Sequence, residues 1–381
     1  MRRARPYKYY PHLRQNETCL QTEDSRALVK PVDSSKQIMR MANSKSVIRV
    51  KLVTRWGKEK GFPWTAQCPG RTPRWDRCVF TSDPFARDYD WLVAVDDIPR
   101  IMPGKREELA CPRDNTILVT SEPSSVTRYG KSFAAQFGHL LTNQEEWALP
   151  HPRAIRSQTG NIWFYGKSYD EIKETAELPK SELISTVCSS KRQPHTMHAR
   201  RYDFTWKLKK ELPELEIFGH GVRFVEKKHQ ALDPYRFHLV VENQIGPHLW
   251  TEKLADAFLA ETIPIYCGCP NVFDYFPKDS LLPIDINDFE GSLAYIRSLL
   301  SREGEYERRR EAVLEAKRLV MDEYNLPAMI NRIILDHENT GSSPGGVIYN
   351  RRLMRMRHPA DFLSFAAWKT GNLLKSVRVF R

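Results

Sequence analysis

The sequence predicts a two-domain α/β protein whose parallel sheets carry polar loops at the carboxyl ends of their strands. Three observations point there. The chain has 381 residues, more than one core usually serves at roughly 100–200 residues per domain. Short apolar, β-branched runs alternate with helical stretches, the pattern of a parallel sheet. A polar stretch, "EIKETAELPKSE" at 171–182, divides these runs into two sets of similar size.

Taken in order, residues 1–45 are polar and irregular and predict a poorly ordered lead-in. "SVIRVKLVTRW", 46–56, is the first core strand. "DYDWLVAVDDIP", 88–99, and "NTILVTSEPSS", 115–125, are buried strands ending in loops. "FAAQFGHLLT" and "IWFYG" complete a first domain, 46–175. The second domain, 180–340, opens with "LISTVCSS". In "RRYDFTWKLKKELPELEIFGHG", Phe204 and Leu208 share a helical face, and Pro213 ends the pattern before a strand. The strand "YRFHLVVEN", the helix "TEKLADAFLAE" and the strand "TIPIYCG" follow. Residues 291–320 are mostly helical and charged. In open α/β sheets ligands bind outside the carboxyl ends of the strands, so two such halves place a site in the cleft between them.

The net charge of +12 suits an anionic partner: nucleic acid, an anionic membrane or a phosphorylated substrate. No nucleic-acid-binding module is recognisable, and no nucleic-acid partner is expected. The seven cysteines, Cys19, Cys68, Cys78, Cys111, Cys188, Cys267 and Cys269, contain no C-x-x-C pair. They read as reduced thiols of a cytosolic protein rather than a zinc site. No apolar run approaches the ~20 residues that span a bilayer. The basic N-terminus lacks the apolar core of a signal peptide, so a cytoplasmic location is expected. Asp96-Asp97 read as a strand end with turn residues, and no metal is expected.

The densest chemistry lies in "YRFHLVVENQIGPHLWTEKLADAFLAETIPIYCG", 235–268. Glu242-Asn243 end a buried strand. Thr251 reads as an N-cap, with Glu252 and Lys253 in the first helical turn. A helix N-terminus offers free N–H groups and a positive dipole end to phosphate. Lys253 adds a point charge, Glu252 can accept from a ribose diol, and Asn243 can donate and accept. Together they suit a nucleoside diphosphate. The same residues also read as an ordinary strand–turn–helix with a capping Thr and solvated charges.

"YRFHLVVEN…TEKLADAFLAETIPIYCGCPNVFDYFP" resembles the signature of family 10 glycosyltransferases, the α-1,3/1,4-fucosyltransferases, as a bacterial-type soluble member. The order is a strand, Glu-Asn, a short spacer, Thr-Glu-Lys, a helix, a Pro-containing strand and Gly. "ISTVCSSKR…RRYDFTWKL" resembles the Ser-rich strand and Arg-bearing helix that precede it, and "VTSEPSS" the strand end of the first domain. The likeness covers 183–290 and, more faintly, about 80–180. It implies a GT-B-like fold, with two Rossmann-like domains facing a central cleft. It further implies an inverting transfer of fucose from GDP-fucose to a glycan hydroxyl on a bacterial surface polysaccharide or lipid-linked glycan, with no metal or other cofactor required. Arg201 and Lys253 match the diphosphate-contacting cations and Glu252 the ribose-binding carboxylate. Asn243 and Ser189 match donor-site positions, and Glu122 the general base. Leu249 stands where the family usually has Tyr, which leaves the sugar open. A transferase of another nucleotide sugar and a non-catalytic basic nucleotide- or nucleic-acid-binding protein remain as alternatives.

The tail, residues 351–381, carries Arg351, Arg352, Arg355, Arg357, Lys369, Lys375, Arg378 and Arg381 against the single acid Asp361. Phe362, Phe365, Ala366, Trp368 and Leu373 are interleaved with them. Such a segment suits peripheral contact with an anionic membrane, on its inner face. The alternative is a tail that packs back onto the protein.

Overall fold

β-Branched and aliphatic runs form fourteen strands among the described residues of a computed structural model: 47–55, 63–190, 197–338 and 345–378. The expected lead-in, 1–45, lies outside them. The first half supplies β1 (Ile48–Thr54), β2 (Arg74–Trp75), β3 (Cys78–Thr81), β4 (Trp91–Val95), β5 (Arg106–Glu108), β6 (Thr116–Thr120), β7 (His139–Thr142) and β8 (Ala154–Arg156). Seven of these form one sheet, ordered β2-β3-β1-β4-β6-β7-β8. Every pairing in it is parallel except β2 with β3. All residues of β4 and β6 are buried, as expected of parallel strands covered on both faces.

The second half supplies β9 (Glu182–Val187), β10 (Leu215–Phe218), β11 (Tyr235–Val241), β12 (Ile263–Cys267) and β13 (Leu282–Pro283). They form an all-parallel sheet ordered β10-β9-β11-β12-β13. The strand order reverses between β1 and β4 in the first sheet and between β9 and β11 in the second. Such switch points open a crevice at the carboxyl ends of the strands. The fold is thus GT-B-like, with two Rossmann-like halves. Ile48–Arg381 form one compact unit.

The helices are α1 (Lys131–Ala134), α2 (Tyr169–Glu174), α3 (His198–Glu211), α4 (Glu252–Leu259), α5 (Phe289–Leu300), α6 (Glu305–Asp322), α7 (Leu326–Asp336), α8 (Arg351–Arg357) and α9 (Pro359–Arg378). The core of the second half joins Ile184, Leu239 and Ile265 of the sheet to Leu254 and Phe258 of α4 and Val313 of α6. The sequence grouped α7 with 180–340, but its Met329, Ile330 and Ile333 pack on Val50, Leu52 and Val93 of the first sheet. Conversely, Trp163, Tyr165 and Ile172, grouped with 46–175, lie in the second core. An amphipathic pattern reveals that a face is buried, not which sheet buries it.

The start of the tail also returns to the first half. β14 (Val347–Tyr349) pairs antiparallel with β5. Ile348 and Met354 join Leu92, Leu118 and Phe133 in the core on the opposite face from α7. Arg351 is buried and bonded to Asp97. Arg355 donates to Arg128 O and stacks on Phe365. These residues of the expected membrane-facing segment are therefore committed to the protein. Phe362 and Leu363 are exposed. Among the described residues no helix is long and apolar enough to cross a membrane.

Candidate active site

The second switch point gathers five of the seven residues singled out in the sequence. Ser189 follows β9, Asn243 follows β11, and Arg201 lies on α3. Residues 201, 204, 205 and 208 make one helical stripe and are all buried. The stripe that seats Phe204 and Leu208 in the core thus turns Arg201 inward to the strand end. Its Nη1 donates to Asn243 Oδ1 at 2.9 Å, and Met197 N donates to Asn243 O at 3.2 Å. Arg201 Nε is buried with no hydrogen-bond partner among the described residues. An unpaired guanidinium N–H is costly to bury, and it suits an anion that would complete it.

Glu242 organises the N-terminus of α4. Its side chain is 1% exposed. It accepts from Thr251 N at 2.8 Å and Thr251 Oγ1 at 2.7 Å. Thr251 in turn caps the helix, accepting from Lys253 N. Lys253 Nζ lies 2.8 Å from Glu252 Oε1, 3.0 Å from Thr251 Oγ1 and 3.5 Å from Glu242 Oε2. Burial pushes the Glu242 pKa up, against the pull of Lys253. Burial also opposes ionisation of Glu252, but Lys253 and Lys228 outweigh it and hold its carboxyl down at about 2. The two carboxylates in turn keep Lys253 raised against burial. The capping Thr was legible in the sequence. The charges around it are ordered and half-buried rather than solvated.

The packing leaves no room for change behind Glu242. A Cβ on Gly268 would meet Glu242 Cγ at 2.6 Å, so the Gly that ends "TIPIYCG" is needed for close approach. Leu249 is 8% exposed and brings no hydroxyl. Its neighbour His248 was not anticipated. Asn271 Oδ1 accepts from His248 N, so Asn271 Nδ2 faces His248 Nδ1 at 3.2 Å as a donor. Tyr275 Oη is 2.6 Å from the same Nδ1. The imidazole proton therefore sits on Nε2, and burial lowers the pKa.

Glu122 lies in the other half, just beyond β6. It is exposed. The protein packed around it pushes its pKa up; Asp96 and Glu252 add to the shift and Arg55 opposes it. The halves meet through Ser125 and Gln244, and through Asn161 Nδ2, which donates to Trp250 O at 2.8 Å. Asp96 accepts from Ser121 and Tyr129, and Asp97 from Arg351, so both carboxylates are used structurally. Among the described residues no cluster of three or more His, Cys, Asp and Glu could hold a metal ion.

Residues 178–310 match the sequence profile of the C-terminal part of glycosyltransferase family 10 (fucosyltransferase). This segment is similar to glycosyltransferase family 10. It contains Ser189, Arg201, Asn243, Leu249, Glu252 and Lys253, whereas Glu122 lies outside it. The chain is 37% identical over 83 residues to alpha-(1,3)-fucosyltransferase FucT of Helicobacter pylori, covering 22% of this chain and 17% of that protein. It is 27% identical over 222 residues to alpha-(1,3)-fucosyltransferase B of Drosophila melanogaster, covering 53% and 47%. The chain thus spans less than half the length of either relative. A crystal structure of an alpha1,3-fucosyltransferase with GDP-fucose superposes with a TM-score of 0.44 at 17% identity, covering 74% of this chain and 94% of that one.

Within residues 178–310, sequence reasoning placed Glu242 at the strand end without giving it a role, and missed Lys228. Glu242 anchors both Thr251 and Lys253, though only its position before Asn243 hinted at a role. Lys228 pairs with Asp256 at 2.6 Å and helps hold Glu252 ionised. In the sequence it is one lysine of a charged run, indistinguishable from a solvated one.

Proposed function

We propose that the protein is an inverting glycosyltransferase that moves fucose from GDP-fucose to a glycan hydroxyl. One observation carries the reading: Arg201, whose buried Nε has no hydrogen-bond partner among the described residues, lies with Asn243, Glu252 and Lys253 at the carboxyl end of the second sheet. Glu122 takes the acceptor proton as the hydroxyl oxygen attacks the anomeric carbon. The bond to the diphosphate breaks on the opposite face, which inverts the centre. The departing charge falls on phosphate oxygens. Arg201, with its unpaired Nε, Lys253 and the N-terminus of α4 stabilise it. Asn243 holds Arg201, Glu252 faces the ribose, and Ser189 lines the β9 edge. In this scheme the cations carry the leaving-group charge and no divalent ion is invoked. That both curated relatives bear the name alpha-(1,3)-fucosyltransferase supports fucose as the sugar.

A second reading, transfer of another sugar, is favoured by Leu249, which removes a hydroxyl from the donor loop. His248 Nε2–H offers a donor in the same loop. A screen of nucleotide sugars for hydrolysis or transfer, read by mass spectrometry, decides. GDP-fucose should turn over best, and faster turnover of a UDP- or CMP-sugar would overturn the assignment. GDP-dependent stabilisation without any turnover would favour a non-catalytic nucleotide-binding protein.

The glycan acceptor is proposed to be a surface polysaccharide or lipid-linked glycan in the cytoplasm. Peripheral membrane contact would use the exposed side of α9, with Phe362, Leu363 and Lys369. It would not use Arg351 or Arg355, which are engaged within the fold.

A further inference from the structure

The loop that carries Glu122 is held from both ends by the C-terminal segment, more than 200 residues away in sequence. Glu122 lies between β6 and Pro123, which has no N–H to help fix it. Its own N–H points to Tyr129 Oη at 3.3 Å, and its carbonyl accepts from Gln144 Nε2 at 2.8 Å. Ser121, one residue earlier, gives Asp96 both its N–H, at 2.9 Å, and its hydroxyl, at 2.7 Å. Tyr129 donates its phenol proton to the same Asp96 carboxylate. Its oxygen lone pairs therefore remain for the Glu122 N–H. Asp96 adopts a left-handed φ of +67°, a conformation that a non-glycine residue keeps only where its surroundings enforce it.

The C-terminal segment covers this arrangement. Tyr129 is 1% exposed, and the Arg351 guanidinium of α8 lies 4.8 Å over its ring. Arg351 is locked to Asp97, the neighbour of Asp96, through its N at 2.8 Å and its Nε at 3.2 Å. Asp361 closes the far end of the loop, accepting from Lys131 N at 3.1 Å and Ser132 N at 3.0 Å. Gln136 exchanges two hydrogen bonds with the backbone of Tyr349.

We propose that Tyr129, oriented by Asp96 and covered by Arg351, is a positioning residue that fixes Glu122 for proton transfer. The proposal rests on the reading of Glu122 as the base. Proton transfer depends on sub-ångström placement, and the phenol bonds the amide of the residue that bears the carboxylate. Burial, reinforced by Asp96, keeps the phenol protonated, so it remains a donor to Asp96 throughout the working pH range. The charged groups coupled to Glu122 itself are Arg55 after β1, Asp96 after β4 and Glu252 on α4.

The test uses full-length protein, with GDP-fucose as donor and water as acceptor, followed by GDP release. Tyr129→Phe removes one oxygen and should lower kcat about 10- to 100-fold, with GDP affinity by calorimetry unchanged. In a Glu122→Gln background the same substitution should change turnover less than about twofold. Arg351→Gln leaves the phenol in place and should lower kcat in the same direction with GDP affinity retained. It serves where Tyr129→Phe compromises folding. Unchanged kcat in both variants would refute the proposal, as would an equal loss from Tyr129→Phe with and without Glu122. Parent-like turnover in Glu122→Gln, or no turnover by the parent, would instead remove the underlying reading of the base.

Discussion

Lys253→Ala removes the one ammonium shared by Thr251, Glu242 and Glu252, and its effect can be worked from the contacts. Glu252 moves from the ordinary 4.5 to about 2 in the fold, an effect of about 3 kcal/mol at ~1.4 kcal/mol per unit. Lys228 supplies part of that shift and Lys253 the larger part. Glu242, 1% exposed, loses its counter-charge as well. Stranding a buried charge costs about 3–5 kcal/mol. Glu242 already has a raised pKa, so it escapes part of that cost by taking a proton. The expected loss of folding stability at neutral pH is therefore about 3 kcal/mol, measured by denaturant unfolding. GDP affinity should fall by about 1.5–3 kcal/mol, the range for a charge-assisted contact, or roughly 10- to 150-fold in Kd by calorimetry. The sign with pH is fixed too. In the parent, the Glu252 contribution is complete above 4.5 and fades as pH falls through about 2. In the variant both carboxylates protonate at higher pH, so the stability gap between variant and parent should narrow from pH 7 to pH 5. Equal unfolding midpoints and equal GDP affinities for the two proteins would refute this reading of Lys253.

The acid limb of kcat/KM should lie above the ordinary carboxylate range, because Glu122 must lose its proton from a raised pKa. Asp96→Asn should move that limb to lower pH and Arg55→Gln to higher pH; shifts in the same direction would contradict the assignment. Gly268→Ala should cost about 1–3 kcal/mol of stability, since its Cβ would meet Glu242 Cγ at 2.6 Å, and GDP binding should weaken with it; denaturant midpoints and calorimetry check both. Exchanging Phe362 and Leu363 for Ser should reduce co-sedimentation with anionic vesicles at low salt while leaving unfolding midpoints within about 0.5 kcal/mol, and unaltered co-sedimentation would argue against α9 as the contact. Truncation near residue 350 is a poorer test of membrane binding, because it also removes Arg351 and Asp361 from the Glu122 loop.

Local features were legible where local physics decides them. β4 and β6 announce themselves as buried parallel strands through unbroken apolar runs. The α4 N-terminus is marked by Thr251, whose capping role needs only the following turn. Placing Glu242-Asn243 at a strand end and Arg201 on the helical stripe of Phe204 and Leu208 required only the 2.0 and 3.6 periodicities. The Glu-Asn…Thr-Glu-Lys order then carried the family resemblance.

What the sequence could not state is which surfaces meet. Nothing in the pattern of α7 distinguishes the first sheet from the second, because hydrophobic burial is non-directional and any apolar face would serve. The basic tail looked like a solvent-facing membrane segment, yet Arg351 and Asp361 found carboxylate and amide partners across the fold. Lys228 and His248 gained their roles from neighbours 20 or more residues away, Asp256, Asn271 and Tyr275. The pKa values of Glu122, Glu242 and Glu252 follow from burial and from charges brought together by folding, not from residue type. Sequence by itself therefore determined the elements, the caps and the chemistry available. Only the tertiary structure decided how those groups are paired, because pairing depends on distances between segments that the chain order leaves free.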